Sequence, residues 1–235
     1  MPLAMASNLI RSVAETGSTN DDMAGMARSG APEASWLRAD RQEGGRGRQG
    51  RVWSSPAGNL YASTLVRLRA GDPPAPTLAL VAAVALHQMV ARYAPAARVK
   101  WPNDLLIDGA KLAGILLERE EEAVVIGFGV NLAHHPDGLD RPVTSLAAAA
   151  GTAPEPDAFL EMLADAFARW LQRWREEGLA PVRRHWLAAA HPIGTALSTP
   201  EGEGLFDGLD EAGALRLRLA DGSARVIHAG DVFLI

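Results

Sequence analysis

The sequence predicts a large domain that mixes strands with helices, followed by a small all-β domain. Three observations lead there. Between residues 34 and 131, short apolar runs alternate with Gly-rich and Asp-Gly turns. Two helical patterns stand apart from them, one rich in alanine and one striped with aromatics. After His191-Pro192 the texture changes to short alternating runs, the signature of a small β-barrel. The boundary falls near residue 190, giving domains 1–190 and 191–235.

Residues 7–13 are a mildly apolar start. Ser18-Thr19-Asn20 then offers three N-cap formers, Met23, Met26 and Ala27 follow at helical spacing, and Gly30 supplies a stop. A short helix is expected, and capping alone would account for its first three residues. Residues 34–39 read as a strand, as do residues 59–68, where Leu60, Ala62, Thr64 and Val66 alternate with Tyr61, Ser63, Leu65 and Arg67. Pro73, Pro74 and Pro76 open a helix running to about Ala94, and Pro95 closes it. Its apolar run, residues 78–90, is too short to cross a bilayer, and His87 is expected to be packed.

Residues 99–107 should form two short strands interrupted by Pro102-Asn103-Asp104, with Asp108-Gly109 as a tight turn. Residues 111–117 and 123–128 make a further strand pair, joined by the acidic stretch 118–122. Gly127, Gly129 and Asn131 end it, and the glycines mark either a simple bulge, the commoner case, or a close approach by a ligand or another backbone. Phe159, Leu163, Phe167, Trp170 and Trp174 stripe one face of a helix over residues 157–177, and a second helix covers residues 180–190 with Trp186. The barrel strands are read at 196–199, 204–206, 214–219, 224–228 and 232–235, with Asp207-Gly208 and Asp221-Gly222 as turns.

Between the strands at 34–39 and 59–68 hangs Gly44-Gly45-Arg46-Gly47-Arg48-Gln49-Gly50-Arg51, in which four glycines interleave with three arginines. Each guanidinium is a permanently charged fork suited to carboxylate or phosphate, so the ligand this loop suits is an anion. A solvated basic surface loop explains the composition equally well. Gly45, Gly47 and Gly50 match G-x-G-x-x-G, which counts only between a strand and a helix. Charged Asp40-Arg41-Gln42-Glu43 leads in and residues 51–56 open no helix, so the dinucleotide motif is rejected, and no Lys-Ser or Lys-Thr closes a Walker-type loop.

Composition narrows the field further. At 48% hydrophobic and 22% charged, 235 residues suffice for a sizeable core. A formal net charge of -5 argues against a general nucleic-acid binder. With no cysteine there is neither a disulfide nor a thiolate metal site, and the first residues lack the order of a signal peptide, so a cytoplasmic location is expected. His134-His135 lacks a third ligand at a usual spacing, and no metal site is expected.

Five motifs together resemble the ordered set of the biotin protein ligases: Ser18-Thr19-Asn20; Gln42 with residues 45–51 and Trp53; Lys100-Trp101-Pro102-Asn103-Asp104; Lys111-Leu112-Ala113-Gly114; and Gly127-Phe128-Gly129-Val130-Asn131. The likeness runs from about residue 7 to the end. It implies an α+β catalytic domain with a mixed sheet, related to class II aminoacyl-tRNA synthetases and lipoate ligases, plus a C-terminal SH3-like barrel. It also implies a monofunctional enzyme, since the chain starts too late for the N-terminal DNA-binding domain that some members carry. Gly44 and Gln49 depart from the alanine and arginine of many relatives, which removes one charge from the loop.

The resemblance implies a reaction in two steps. Biotin and ATP, with Mg2+ carried on the phosphates, give biotinyl-5′-adenylate, and a lysine of a biotin carboxyl carrier protein domain then takes the biotin. Ser18, Thr19, Asn20 and Gln42 match the positions around the ring end of biotin. Gly45, Arg46, Gly47, Arg48, Lys111 and Gly114 complete the biotin set. Arg46, Arg48, Arg51, Trp53, Asn103, Lys111 and Asn131 match nucleotide positions. Arg48 and Lys111 would offset the repulsion between carboxylate and α-phosphate, and Asp104 would orient or deprotonate the acceptor amine. A homodimer is compatible with the family, and no membrane partner is implied. The alternatives are a lipoate or octanoate ligase of the same fold and a non-catalytic RNA-binding module using the basic loop.

Overall fold

The computed structural model describes residues 9–235, so the first two residues of the apolar start at 7–13 lie outside it. Seven strands form a mixed sheet in the order β1-β2-β3-β7-β6-β5-β4. They are β1 (Leu9–Thr16), β2 (Ser35–Gln42), β3 (Leu60–Arg67), β4 (Arg98–Lys100), β5 (Asp104–Ile107), β6 (Ala110–Glu120) and β7 (Ala123–Val130). β1 and β2 are parallel and every other neighbouring pair is antiparallel. Helix α1 (Thr19–Arg28) covers one face over Met23, Ala27, Leu37, Leu65 and Val125. The opposite face carries α2 (Leu78–Val90), α4 (Pro156–Glu177) and α5 (Leu179–Ala189), while the short α3 (Leu146–Ala150) follows β7. Both sides of β3 are therefore packed, and its alternation sorts side chains between two apolar layers rather than between core and water.

Phe159, Leu163, Phe167, Trp170 and Trp174 of α4 are all buried. At about 1.5–3 kcal/mol for each fully buried large apolar side chain, this stripe is a principal anchor of the helical layer. Two of its indoles also find acceptors, Trp174 on Thr77 at 2.8 Å and Trp170 on Gln88 at 3.1 Å. His87 is packed, with Nε2 3.1 Å from the Ala97 carbonyl, and burial lowers its pKa. Among the described residues no helix is long and apolar enough to cross a membrane.

The C-terminal strands β8 (Ala196–Thr199), β9 (Gly202–Leu209), β10 (Leu215–Arg218), β11 (Ala224–Ile227) and β12 (Phe233–Leu234) form an antiparallel sheet in the order β11-β10-β9-β8-β12. Its inner residues Leu197, Phe206, Leu215, Leu217 and Val232 join the same apolar cluster as α2 and α5, so this sheet is welded to the larger unit. Trp101 adds a tie by donating to the Gly213 carbonyl at 3.2 Å.

Four local expectations need correction. The alanine-rich helix is α only from Leu78 to Val90, after a 3₁₀ turn over Ala75–Thr77, because the backbone reverses through residues 91–93. The acidic stretch is not a loop: β6 continues to Glu120 and the reversal needs only two residues, with Glu121 at φ 51°. Asp207-Gly208 is no turn either. It lies inside β9 as the extra residue of a bulge against β10, and the reversal comes at Asp210, which caps the Ala212 and Ala214 amides. Finally, β2 runs on to Gln42, so a strand does precede the basic loop; a helix does not follow it, since Arg48–Gly50 is a single 3₁₀ turn.

Candidate active site

The glycines of β6 and β7 sit in an unbroken ladder, not a bulge. One row across the sheet pairs Asp104 with Gly114, Gly114 with Gly129, and Gly129 with Tyr61. A neighbouring row on the same face pairs Leu116 with Gly127 and Gly127 with Ser63. Side chains from elsewhere occupy the space these glycines leave. A Cβ on Gly127 would lie 2.2 Å from Asn20 Oδ1, and one on Gly129 would lie 2.6 Å from the Trp53 ring. The result is a cavity of about 550 Å³ floored by bare backbone, with α1 at one end and the basic loop and C-terminal sheet over the other.

At the α1 end Ser18 caps the helix, accepting from the Asp21 amide. The next two residues do more than cap. Thr19 donates its amide and hydroxyl to Gln42 Oε1 at 2.8 and 3.0 Å. Asn20 donates to Glu118 at 2.7 Å, and its Oδ1 accepts from the fully buried Ser63 hydroxyl at 2.6 Å. Gln42 Nε2 reaches Ser55, which donates to the Trp53 carbonyl. Polar groups this buried are costly unless paired, and their mutual bonds fix which atom of each amide faces the cavity.

The basic loop is folded as a narrow hairpin. Trp53 donates to the Gly45 carbonyl, Arg46 and Val52 bridge, and Gly47 donates to the Arg51 carbonyl. Its tip turns through Gln49 at φ 58° and Gly50 at φ 70°. Arg46 forks onto Asp21 at 2.7 and 2.5 Å and lies 3.6 Å from Glu118. That hydrogen bond lowers the Asp21 carboxyl and raises the guanidinium still further. Arg48 reaches the Gly230 carbonyl at 3.2 Å, Asn103 at 3.4 Å and Asp231 at 3.8 Å, while Arg51 pairs with Asp231 and Gln49. Burial pushes Asp231 up, but the bond to Arg51 and the charges of Arg51, Arg48 and Arg141 outweigh it and hold the carboxyl below its usual range.

At the far end of the floor, after a cis Trp101-Pro102 bond, Asp104 meets Lys111 at 2.7 Å through one oxygen and Lys100 at 3.3 Å through the other. Lys100 also donates to the Val232 carbonyl, and burial pulls its pKa down against the opposing charge of Asp104. The Lys111 ammonium lies over the Trp53 ring, 5.5 Å from its centroid. Asn131 is buried and donates to the Thr144 carbonyl, which braces the segment running beside Lys111.

All the candidate residues named from sequence line this one cavity except Gly45, which is packed behind Gln42, Trp53 and Ser55. Lys100, Asp21, Ser63, Glu118 and Asp231 received no role from the sequence. Lys100 stood inside a quoted motif; the others are partners brought in by the fold.

Residues 14–131 match the Biotin/lipoate A/B protein ligase family, and residues 195–235 match the Biotin protein ligase C terminal domain. The chain is 42% identical to a biotin–[acetyl-CoA-carboxylase] ligase of Paracoccus denitrificans, over 94% of this chain and 98% of the relative. A biotin–[acetyl-CoA-carboxylase] ligase of Mycobacterium tuberculosis is 34% identical over 94% of this chain and 86% of its own. The fold superimposes on a biotin protein ligase from Aquifex aeolicus, in complex with biotin and ATP, with a TM-score of 0.87, 97% and 99% of the two chains covered and 22% identity.

Proposed function

We infer that this chain, which belongs to the biotin/lipoate protein ligase family, is a biotin–[acetyl-CoA-carboxylase] ligase with ATP and biotin as substrates. One observation carries the reading beyond the family: the same glycine floor has a cluster of hydroxyl and amide groups at one end, with Arg46 beside it on Asp21, and an indole with five further cations towards the other. A ring system with a ureido group suits the first end and a nucleotide the second.

In the first step a biotin carboxylate oxygen attacks the α-phosphorus of ATP and pyrophosphate leaves. Two anions must approach, so cations placed in advance lower the barrier. We assign Arg46, Arg48 and Lys111 to that task, Arg51 and Asn103 to the phosphates, Trp53 and Asn131 to the nucleoside, and Thr19, Asn20 and Gln42 to the ureido group. Mg2+ arrives with ATP; Asp104 and Asp231 already hold two cations each and make a poor oxygen set for a metal of their own. In the second step the carrier lysine amine attacks the carbonyl carbon of the mixed anhydride and AMP leaves. We assign to Asp104, which is anchored to two ammonium groups, the task of receiving the acceptor amine.

Lipoate ends in a dithiolane with no group to pair with Thr19, Asn20 and Gln42, which would leave those polar groups unmatched. Thermal stabilisation separates the readings. Ligand at about 100 times its Kd adds about 2.7 kcal/mol to a folded protein. Biotin is expected to raise Tm where lipoate and an oligonucleotide do not; a shift with lipoate alone would reverse the assignment.

A further inference from the structure

Six cations line the cavity: Arg46, Arg48, Arg51, Lys100, Lys111 and Arg141. Five of them are held by carboxylates of the chain itself. Arg46 is on Asp21 and near Glu118, Arg48 and Arg51 are on Asp231, and Lys100 and Lys111 are on Asp104. Among the described residues, Arg141 is the one lining cation with neither an ion pair nor a hydrogen bond. Its guanidinium lies over the Phe233 ring, 5.2 Å from the centroid, and Lys100 lies 5.8 Å from the same centroid. A delocalised guanidinium on an aromatic face keeps its donors free at the ring's edge.

We propose that Arg141 binds the β- and γ-phosphates of the nucleotide and follows them as the pyrophosphate leaving group, an assignment that rests on the adenylating reaction inferred above. Its place in the fold selects this end of the ligand. The segment before α3 runs beside the start of β6: Lys111 donates its amide to the Pro142 carbonyl, and Thr144 donates to the Lys111 carbonyl. Arg141 is therefore tethered next to Lys111, on the side of the cavity formed by Asp231 and Phe233 and away from Thr19 and Asn20. Pyrophosphate carries more negative charge than the carboxylate and α-phosphate together, and a cation in no direct ion pair, reached by Asp231 only through its charge, can take it without first breaking such a contact. Asp140, the neighbour in sequence, also lines the cavity and makes no ion pair among the described residues, so the expected gain is moderate.

The test is calorimetric titration of inorganic pyrophosphate with Mg2+ into the full chain and into Arg141→Ala and Arg141→Lys. Arg141 is exposed, so both variants should fold as the parent does. The expected result is at least a fivefold loss of pyrophosphate affinity in the alanine variant and partial recovery in the lysine variant. In biotin-dependent ATP–pyrophosphate exchange, KM for ATP should rise in parallel while KM for biotin stays within twofold. Pyrophosphate affinity within twofold of wild type in Arg141→Ala, no pyrophosphate binding by the wild type, or an equal rise in KM for biotin would each overturn the assignment. A chain that binds pyrophosphate through Arg141 but shows no biotin-dependent exchange would uphold it and remove the ligase reading instead.

Discussion

Gly127 and Gly129 lie two residues apart on one strand, yet their replacement should damage different halves of the reaction. A methyl at Gly127 collides with Asn20, and one at Gly129 collides with Trp53. Neither glycine has a positive φ, so backbone strain is not part of the effect. Gly127→Ala is expected to weaken biotin about tenfold, or about 1.4 kcal/mol, with ATP little changed, and Gly129→Ala to do the reverse. Equal losses of both ligands in both variants, read by calorimetry, would show that the floor fails as a whole. Asp104 is the second residue whose role geometry sharpens. The sequence suggested a group acting on the acceptor amine, and its contacts with Lys111 and Lys100 add a second task, holding those ammonium groups in place. Asp104→Asn keeps the shape and removes the charge that holds Lys111 in place, so pyrophosphate exchange should fall by tenfold or more along with transfer from preformed adenylate. Normal exchange with slow transfer would restore the narrower role.

The loop from Gly44 to Trp53 is the element on which shielding depends. The adenylate is a mixed anhydride that water destroys, and fixing a loop over it costs roughly 1–2 kcal/mol per residue ordered. Here the hairpin bonds and the grips of Asp21 and Asp231 offset part of that cost before a ligand arrives. Arg48→Ala removes the contacts to Gly230, Asn103 and Asp231. The variant is expected to form adenylate and release it, seen as increased biotinylation of bystander lysines without a carrier domain; release no greater than wild type would separate Arg48 from shielding. Elements of this size were legible in the sequence where the signal is local. The Ser18 cap, the Asp108-Gly109 turn and the aromatic stripe of α4 each declare themselves within a few residues. The partner of Arg51 does not, because Asp231 stands 180 positions away and is brought in only by the docking of β12. The acidic stretch failed for a related reason: Glu118 reads as loop until Asn20 and Arg46 are seen to meet it on a strand.

At the scale of the whole molecule, two sets of charges tie distant parts of the chain together. One is the site itself, where Lys100 and the basic loop grip residues 230–232 of the C-terminal sheet. The other lies away from it, where Arg175 near the end of α4 holds Glu33, Asp72 and the Arg67 carbonyl. Burial alone would raise Glu33, but the hydrogen bonds and charge of Arg175, the Arg67 amide and Arg69 hold its carboxyl below the usual range. A carboxyl lowered in the folded state contributes stability that is in place above its unfolded value and is lost as pH falls through the folded one. Arg175→Met should therefore cost about 3 kcal/mol near neutral pH by leaving the largely buried Asp72 without a cation and Glu33 with only the exposed Arg69, and should flatten the loss of stability as pH falls through the carboxylate range. Denaturant unfolding at pH 7 and pH 4 measures both; an unchanged midpoint would mean the network is merely solvated. The central claim concerns chemistry and is tested most directly by one reaction. The protein, ATP, Mg2+ and labelled biotin are mixed with a biotin carboxyl carrier domain, and the label on its acceptor lysine is followed for wild type and Lys111→Ala. The expected result is stoichiometric labelling by the wild type and a rate about a hundredfold lower in the variant, the scale of one preorganised donor. Transfer of lipoate or octanoate in place of biotin, or labelling that does not depend on Lys111, would contradict it.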